Sequence, residues 1–283
     1  MRWTIGDVTV TKVVEMVQSI PVVGLLPAAT PEEIARHTAW LRPHFLDDEG
    51  MTDLSIHSLI IESGGRTILV DTCVGDREIP GMPGLRGPVE FPERLAAAGF
   101  PVEAIDVVCC THLHFDHVGW NTRLADGQWV PTFPNARYLF CRSEYDHWIV
   151  EPGGYALNIA DTVTPIVDAG LADLVESDHA ITDEVRLVPT PGHSPGHVSV
   201  LIDSGGEQAL ITGDATHHLV QWAEPGWGMS GDWDGEMGGE TRRRLRAEHG
   251  PAGTLILGTH YAAPSAGRIV GSGDDWRFVP EEG

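Results

Sequence analysis

Three apolar, strand-like runs in this chain end the same way, on a histidine or an aspartate with a glycine adjacent or nearby. "EVRLVPT" runs into "PGHSPGH" at His193, "EQALIT" into "GDATHH" at Asp214, and "GTLIL" into "GTHYA" at His260. A fourth run, "AIDVVCC", opens into "THLHFDHVGW", which packs His112, His114, Asp116 and His117 into one short stretch. Glycine lets a backbone turn sharply where a side chain must aim at a shared point, so Gly192, Gly213 and Gly258 read as the turns that make this convergence feasible. A buried, satisfied histidine explains any one of these positions. Four separate strand ends carrying ligand chemistry are hard to assign to packing alone.

The remaining pattern supplies the frame. "WTIGDVTVTKVVEM" alternates with period two and reads as an opening strand or hairpin, and "SIHSLIIES", Gly64-Gly65 and "RTILVDT" read as another hairpin. Between them lies a proline-rich segment near residues 18–52, expected to act as a lid or a dimer contact. It holds a predicted helix from Thr30 to Leu41, with Thr30 as N-cap, Pro31 in the first turn and Glu33 as capping-box carboxylate. "FPERLAAAG", "RSEYDHWIV" and "GGETRRRLRAEHG" read as helices, and "ARYLFC" and "HVSVLID" as further strands. Two groups of strands with helices between and after them point to an α+β chain. Its natural architecture is two facing mixed sheets covered by helices, in a single domain over residues 1–283.

Composition narrows the partners. The formal charge of −23 repels phosphate backbones, so no nucleic-acid partner is expected. The four cysteines, Cys73, Cys109, Cys110 and Cys141, form no CxxC pair, which suits a reducing, cytoplasmic compartment. No signal peptide is apparent, and "IPVVGLLPAA" is too short to span a bilayer.

Imidazole and carboxylate together are ligands that zinc, iron, manganese and cobalt accept. His112 and His114 alternate and share one direction in an extended loop. Asp116 and His117 fall where the chain turns into a helix, whose N-terminus favours the aspartate. Ligands on two sides of one turn suit two ions better than one. Two ions sharing a hydroxide form a nucleophile at neutral pH without a serine or cysteine, and they also polarise the substrate oxygen.

The set "THLHFDH", "GHSPGH", "GD" and "THY" resembles the metallo-β-lactamase fold superfamily over most of the chain. The resemblance implies an αββα sandwich of two mixed sheets flanked by helices. It implies two divalent ions, zinc foremost: His112, His114 and His193 on the first, Asp116, His117 and His260 on the second, and Asp214 bridging. Asp116 also stands as a catalytic carboxylate. Asp71, in "ILVDT", would orient a ligand imidazole.

Departures from other branches of the superfamily sort the chemistry. His114 stands where flavodiiron-type oxidoreductases resemble one another in having glutamate. Asp214 stands where the common zinc β-lactamases have cysteine. The short stretch after His260 leaves no room for the added domains of glyoxalase II or the alkyl sulfatases, and no long insertion of the RNA-cleaving kind separates the motifs. What remains is similar to the compact lactonases and organophosphate hydrolases. "GDATHHLVQW" looks like the GDxxHHxxQ stretch of that branch. There His217 takes the place of a tyrosine that acyl-homoserine lactonases use on the substrate carbonyl or leaving group, so His217 is expected as electrophile or general acid.

Trp222, Trp227 and Trp233 follow in a glycine- and proline-rich loop and are expected to line an apolar substrate pocket. The expected function is hydrolysis of a neutral or hydrophobic ester or lactone, acting on a small molecule, without membrane association and with a homodimer as the candidate assembly. Phosphotriester hydrolysis at the same site and a mononuclear iron sulfur dioxygenase, in which Asp116 and His117 need not bind metal, are the competing readings. A metal-bearing scaffold without activity is a third.

Overall fold

Along the second strand, Val8 and Val10 are buried while Thr9 and Thr11, which alternate with them, are partly exposed, the period-two burial of a strand with one face in a core. The computed structural model describes residues 1–79, 81–151, 153, 156–273 and 275–281. One mixed sheet runs β1 (Arg2–Ile5), β2 (Val8–Pro21), β3 (Met51–Ser63), β4 (Arg66–Val70), β5 (Val107–Cys110), then β8 (Arg137–Cys141) and β9 (Ala172–Val175). β4, β5, β8 and β9 are parallel to one another, and the strands before them are antiparallel. A small hairpin, β6 (Thr122–Ala125) and β7 (Gln128–Pro131), stands apart. The second sheet runs β10 (Val185–Pro189), β11 (Val198–Ser204), β12 (Glu207–Ile211), β13 (Leu255–Leu257), β14 (Ala266–Ser272) and β15 (Asp275–Glu281), with only β12 and β13 parallel.

Three apolar clusters define the layers. The inner one joins the facing sheets through residues such as Ile61, Val70 and Cys109 on one side and Leu187, Val200 and Ile211 on the other. A second coats the outer face of the first sheet with helices that supply Phe91, Leu95, Trp148 and Ile166. A third coats the outer face of the second sheet with Leu245 of a long helix and with Leu26, Leu41 and Phe45. Helices therefore lie outside both sheets, as the αββα expectation required. Cys109 and Cys110 show the strand logic in miniature: adjacent residues enter clusters on opposite faces, and all four cysteines are buried and free.

The connection between β2 and β3 closes at a neck where Val22 N–H donates to Gly50 O at 3.0 Å. The single helix expected over Thr30–Leu41 is instead two one-turn pieces, α2 (Pro31–Ile34) and α3 (Thr38–Leu41), with α1 (Val22–Leu25) before them. Thr30 does cap Glu33 N, at 3.4 Å, but the Glu33 carboxylate pairs with Arg36 and completes no capping box. His37 breaks the run: its ring bonds Glu224 at 3.1 Å and packs edge-on to Trp227. The segment buries Leu25, Leu26, Ile34, Leu41 and Phe45 against its own chain.

β9, the β6–β7 hairpin and the β14–β15 pair have no counterpart in the sequence reading. Among the described residues no helix is long and apolar enough to cross a membrane.

Candidate metal centre

The parallel strands decide where the polar residues meet. Asp71 follows β4, His112 to His117 follow β5, His193 follows β10, Asp214 follows β12 and His260 follows β13. All five segments leave the C-terminal ends of strands that point to the same edge of the sandwich. Two of the three predicted glycine turns have positive φ, Gly192 at 135° and Gly213 at 56°. A Cβ on Gly213 would lie 2.6 Å from the His197 ring, and one on Gly192 would lie 2.3 Å from Gly238. Gly258 has no positive φ; its lack of a side chain makes room for the Tyr261 ring, 2.1 Å from where a Cβ would stand.

All seven predicted ligand residues converge. Four groups place their ligand atoms within 4.8 Å of one another: His112, His114 and His193; His112, His117 and Asp214; Asp116, His117 and His260; and His193, Asp214 and His217. Asp214 sits at the middle. Its Oδ2 lies 3.2 Å from His117 Nε2, 3.5 Å from His193 Nε2 and 3.8 Å from His112 Nε2, and its Oδ1 lies 3.2 Å from His260 Nε2. Asp116, partly exposed, reaches His260 Nε2 at 3.6 Å and His117 Nε2 at 3.7 Å.

The hydrogen bonds around this cluster set the tautomers. His117 Nδ1–H donates to Asp71 Oδ2 at 2.9 Å, His193 Nδ1–H to Asp232 Oδ1 at 2.9 Å, and His260 Nδ1–H to Ser55 O at 3.2 Å. Thr111 gives its hydroxyl proton to Asp71 at 2.8 Å, so its oxygen accepts from His112 Nδ1–H at 3.1 Å. In all four rings the outward nitrogen is tied up as a donor and Nε2 is turned into the cluster, the orientation a metal-binding imidazole requires. The inward nitrogens crowd one another: His193 Nε2 is 2.9 Å from His114 Nδ1, and His260 Nε2 is 3.3 Å from His117 Nε2. Buried His112 Nε2 and Asp214 Oδ1 have no hydrogen-bond partner. Inward ring nitrogens with unsatisfied buried acceptors suit a cation, and the donor set of imidazole and carboxylate suits zinc or its divalent neighbours.

Electrostatics divide the rings: burial keeps three of them neutral, while the carboxylates draw His117 and His260 toward the protonated form, a positive charge that a bound cation would replace. Burial, reinforced by neighbouring imidazoles, pushes His112, His114 and His193 well below the usual range, which keeps their lone pairs free. Burial also lowers His117, but Asp214, Asp71 and Asp116 outweigh it and hold the ring above its ordinary value. Burial would raise Asp214; His117, His260 and His217 overcome it and keep the carboxylate ionised.

Asp71 bonds a second group beside the His117 ring. Besides His117 it accepts Thr111 N–H at 2.7 Å, tying β4 to the start of the histidine stretch. Its backbone is left-handed at φ 57°, held by Asp71 N–H to Cys109 O at 3.0 Å and Ser58 Oγ to Asp71 O at 2.5 Å. That conformation costs about 1 kcal/mol for an L residue, and non-glycine residues held in it concentrate at functional sites. His197 accepts Asp214 N–H on Nε2 at 2.9 Å and donates from Nδ1 to Thr190 at 2.8 Å.

His217 lies inside the cluster. Its Nε2 is 3.1 Å from Asp214 Oδ2, its ring stacks on His260 at 5.6 Å, and its Nδ1 is buried without a partner. Gln221 fixes the backbone here, accepting from His217 N at 2.7 Å and donating to Trp227 O at 2.8 Å.

The three tryptophans separate. Trp222 is wholly enclosed in the outer cluster of the second sheet, so it belongs to the core and not to a pocket wall. Trp227 packs in the same cluster, 9% exposed. Trp233 is 51% exposed, and its backbone N–H donates to His193 O at 3.0 Å, so it alone of the three stands open beside the cluster.

Two residues escaped the sequence reading. Asp232, which holds His193, also accepts Met229 N–H at 3.0 Å and faces the buried Arg242 guanidinium at 3.8 Å. It lies in coil, with neither periodicity nor motif to mark it. Glu144 lies in "RSEYDHWIV", where its carboxylate looks like an ordinary helix surface; it is buried.

A family model described as the metallo-beta-lactamase superfamily matches residues 51–260. An N-acyl homoserine lactonase from Bacillus cereus is 30% identical over 125 residues, 44% of this chain and 43% of that protein. Another, from a Bacillus species, is 25% identical over 182 residues, 59% of this chain and 66% of that protein. The chain spans about half the length of most curated relatives it matches. The solved dizinc quorum-quenching lactonase AidC, in complex with a product, superposes with a TM-score of 0.80 at 19% identity, covering 100% of this chain and 97% of that one. The hydrolase AbOPH does so with 0.80 at 23% identity, covering 99% and 97%. At such identities the likeness is one of fold. The match over residues 51–260 covers most of the sequence, and the chain belongs to the metallo-beta-lactamase superfamily.

Proposed function

We propose that this protein is a metal-dependent hydrolase of neutral or hydrophobic lactones and esters, with the N-acyl homoserine lactones of its relatives as the first class to try. The observation that carries the reading is the inward set of Nε2 atoms around Asp214. His112, His114 and His193 would hold one divalent ion, Asp116, His117 and His260 a second, and Asp214 would serve both. Bound there, the ions supply hydroxide near neutral pH and a Lewis acid for the substrate carbonyl. The gathering of Asp116, His117 and His260 favours two ions over the single iron of a dioxygenase.

The chain's own groups do the rest. Asp71, Ser55 and Asp232 keep the protons of His117, His260 and His193 on the outward nitrogens. His217 would donate a ring N–H to the leaving oxygen as the acyl carbon–oxygen bond breaks, and take back the proton brought by the attacking hydroxide, so that carboxylate and alcohol leave and the imidazole is restored. Its stacking on His260 sets the direction of delivery. Trp233 offers an apolar, open surface beside His193, which suits an acyl chain and gives nothing to a phosphate monoester. The overall acidic charge works the same way.

The test is a panel of an acyl-homoserine lactone, an aryl ester and a phosphotriester, run beside elemental analysis. Turnover of the lactone or the ester, about two ions per chain and loss of activity on chelation are the expected outcome. Turnover of the phosphotriester alone, or one iron with oxygen consumption, would replace the proposal.

A further inference from the structure

We propose that Glu144 is a positioning residue for the three-histidine half of the centre; the inference rests on the two-ion reading above. Glu144 belongs to the helix Arg142–Val150 and is 1% exposed. Its carboxylate accepts four hydrogen bonds. Oε1 takes Leu113 N–H at 3.2 Å and Trp148 Nε1–H at 2.6 Å; Oε2 takes Ser194 Oγ–H at 2.8 Å and Gly196 N–H at 2.7 Å.

Leu113 stands between His112 and His114, and Ser194 follows His193. One carboxylate thus joins the loop after β5, in the first sheet, to the loop after β10, in the second. Those loops carry all three histidines of one candidate ion site. The approach is tight: a Cβ on Gly196 would stand 2.2 Å from Glu144 N, so the loop lies flat on the first turn of the helix. Asn158 Nδ2–H donates to Leu113 O at 3.1 Å and holds the other side of the same peptide segment.

A carboxylate with only acceptors matches these four donors, and glutamine does not. Its amide N–H₂ would face either the Leu113 and Trp148 N–H groups, losing two bonds, or the Gly196 N–H, losing that one. The bonds of Glu144 named here run to the His112, His114 and His193 loops, whereas the hydrogen bond that orients His117 comes from Asp71 and the one that orients His260 from Ser55 O. The effect of losing Glu144 should therefore be one-sided.

The experiment is a titration of metal-depleted protein with cobalt(II), following its visible absorption against a competing chelator. Wild type is expected to show two binding steps. Glu144→Gln is expected to weaken one step by about 10- to 100-fold, the usual effect of removing a group that orients ligands, and to leave the other in place. Ser194→Ala removes one donor while sparing the carboxylate, so it should weaken the same step by less. It keeps the test decisive if Glu144→Gln does not fold. Two unchanged steps in the variants, or two steps that fall together, overturn the role of Glu144 while leaving the two-ion reading intact. No cobalt uptake by wild type overturns both.

Discussion

The two halves of the candidate centre are held by different parts of the fold. On the side of His117, the fastening is local to neighbouring strands: Asp71, at the end of β4, accepts from Thr111 at the end of β5 and from His117 just beyond it. On the side of His193, it comes from outside the sheets: Asp232 in coil and Glu144 on a helix. The backing charges differ too. Behind His193 and His114 stand buried carboxylates, whereas behind His260 stands a buried cation. Lys12 reaches Ser265 Oγ, which donates to the carbonyl of Tyr261, the residue after His260.

The difference explains what could be read in advance. Strand ends followed by a histidine or an aspartate are local patterns, so the residues that gather at the candidate centre, His112, His114, Asp116, His117, His193, Asp214 and His260, could be named from the sequence, and Asp71 with them. Asp232 and Glu144 act only because a loop and a helix pack over the edge, and no local pattern encodes that packing. Trp222 shows the converse error. A tryptophan in a glycine-rich stretch looks like a pocket wall, but the short helical turn it closes faces Leu245 and Phe278 in the core. The helix expected from Thr30 fails similarly, since the contact of His37 with Glu224 is almost two hundred residues distant in sequence.

The largest expected effect removes what the halves share. Asp214→Ala should lower turnover by about 10³-fold or more, some 4 kcal/mol of transition-state stabilisation, and weaken both metal-binding steps. His114→Ala should abolish turnover while weakening one step, with circular dichroism unchanged. Equal loss of both steps in the two variants would mean that the halves are not separable.

Next in size is His217, which belongs to neither half by its bonds. His217→Phe should lower kcat by about 10²- to 10⁴-fold with metal content unchanged, as for the loss of a general acid. His217→Tyr, which restores a hydroxyl, should recover part of it. A variant that loses an ion instead would make His217 a ligand, in keeping with its place beside His193 and Asp214.

Asp71→Asn and Asp232→Asn sharpen the contrast directly. Each should weaken a single ion by about 10- to 100-fold, but a different one. Asp232→Asn should also raise KM for long acyl substrates, because Asp232 holds the loop whose next residue is Trp233. An unchanged KM across chain lengths would separate Trp233 from the substrate.

The smallest effect concerns the buried cation and is read in stability. Burial lowers the Lys12 ammonium to about 8 from its ordinary 10.5, and the buried His57 lies within its field. The folded chain therefore releases this proton at a lower pH than the unfolded chain does. Between about pH 8 and 10.5 the unfolded state binds more protons, so the Lys12 contribution to stability rises with pH. Below pH 8 the charged side chain carries its full burial cost, at most about 3 kcal/mol. Lys12→Met removes that cost and should be the more stable protein at pH 7.5, by an amount that shrinks as the pH approaches 10. Taking the difference between two proteins at each pH cancels the other titrating groups. Denaturation midpoints that stay equally spaced from pH 7.5 to 10 would mean that Lys12 titrates at its ordinary value, and that the His260 half has no charge cost behind it.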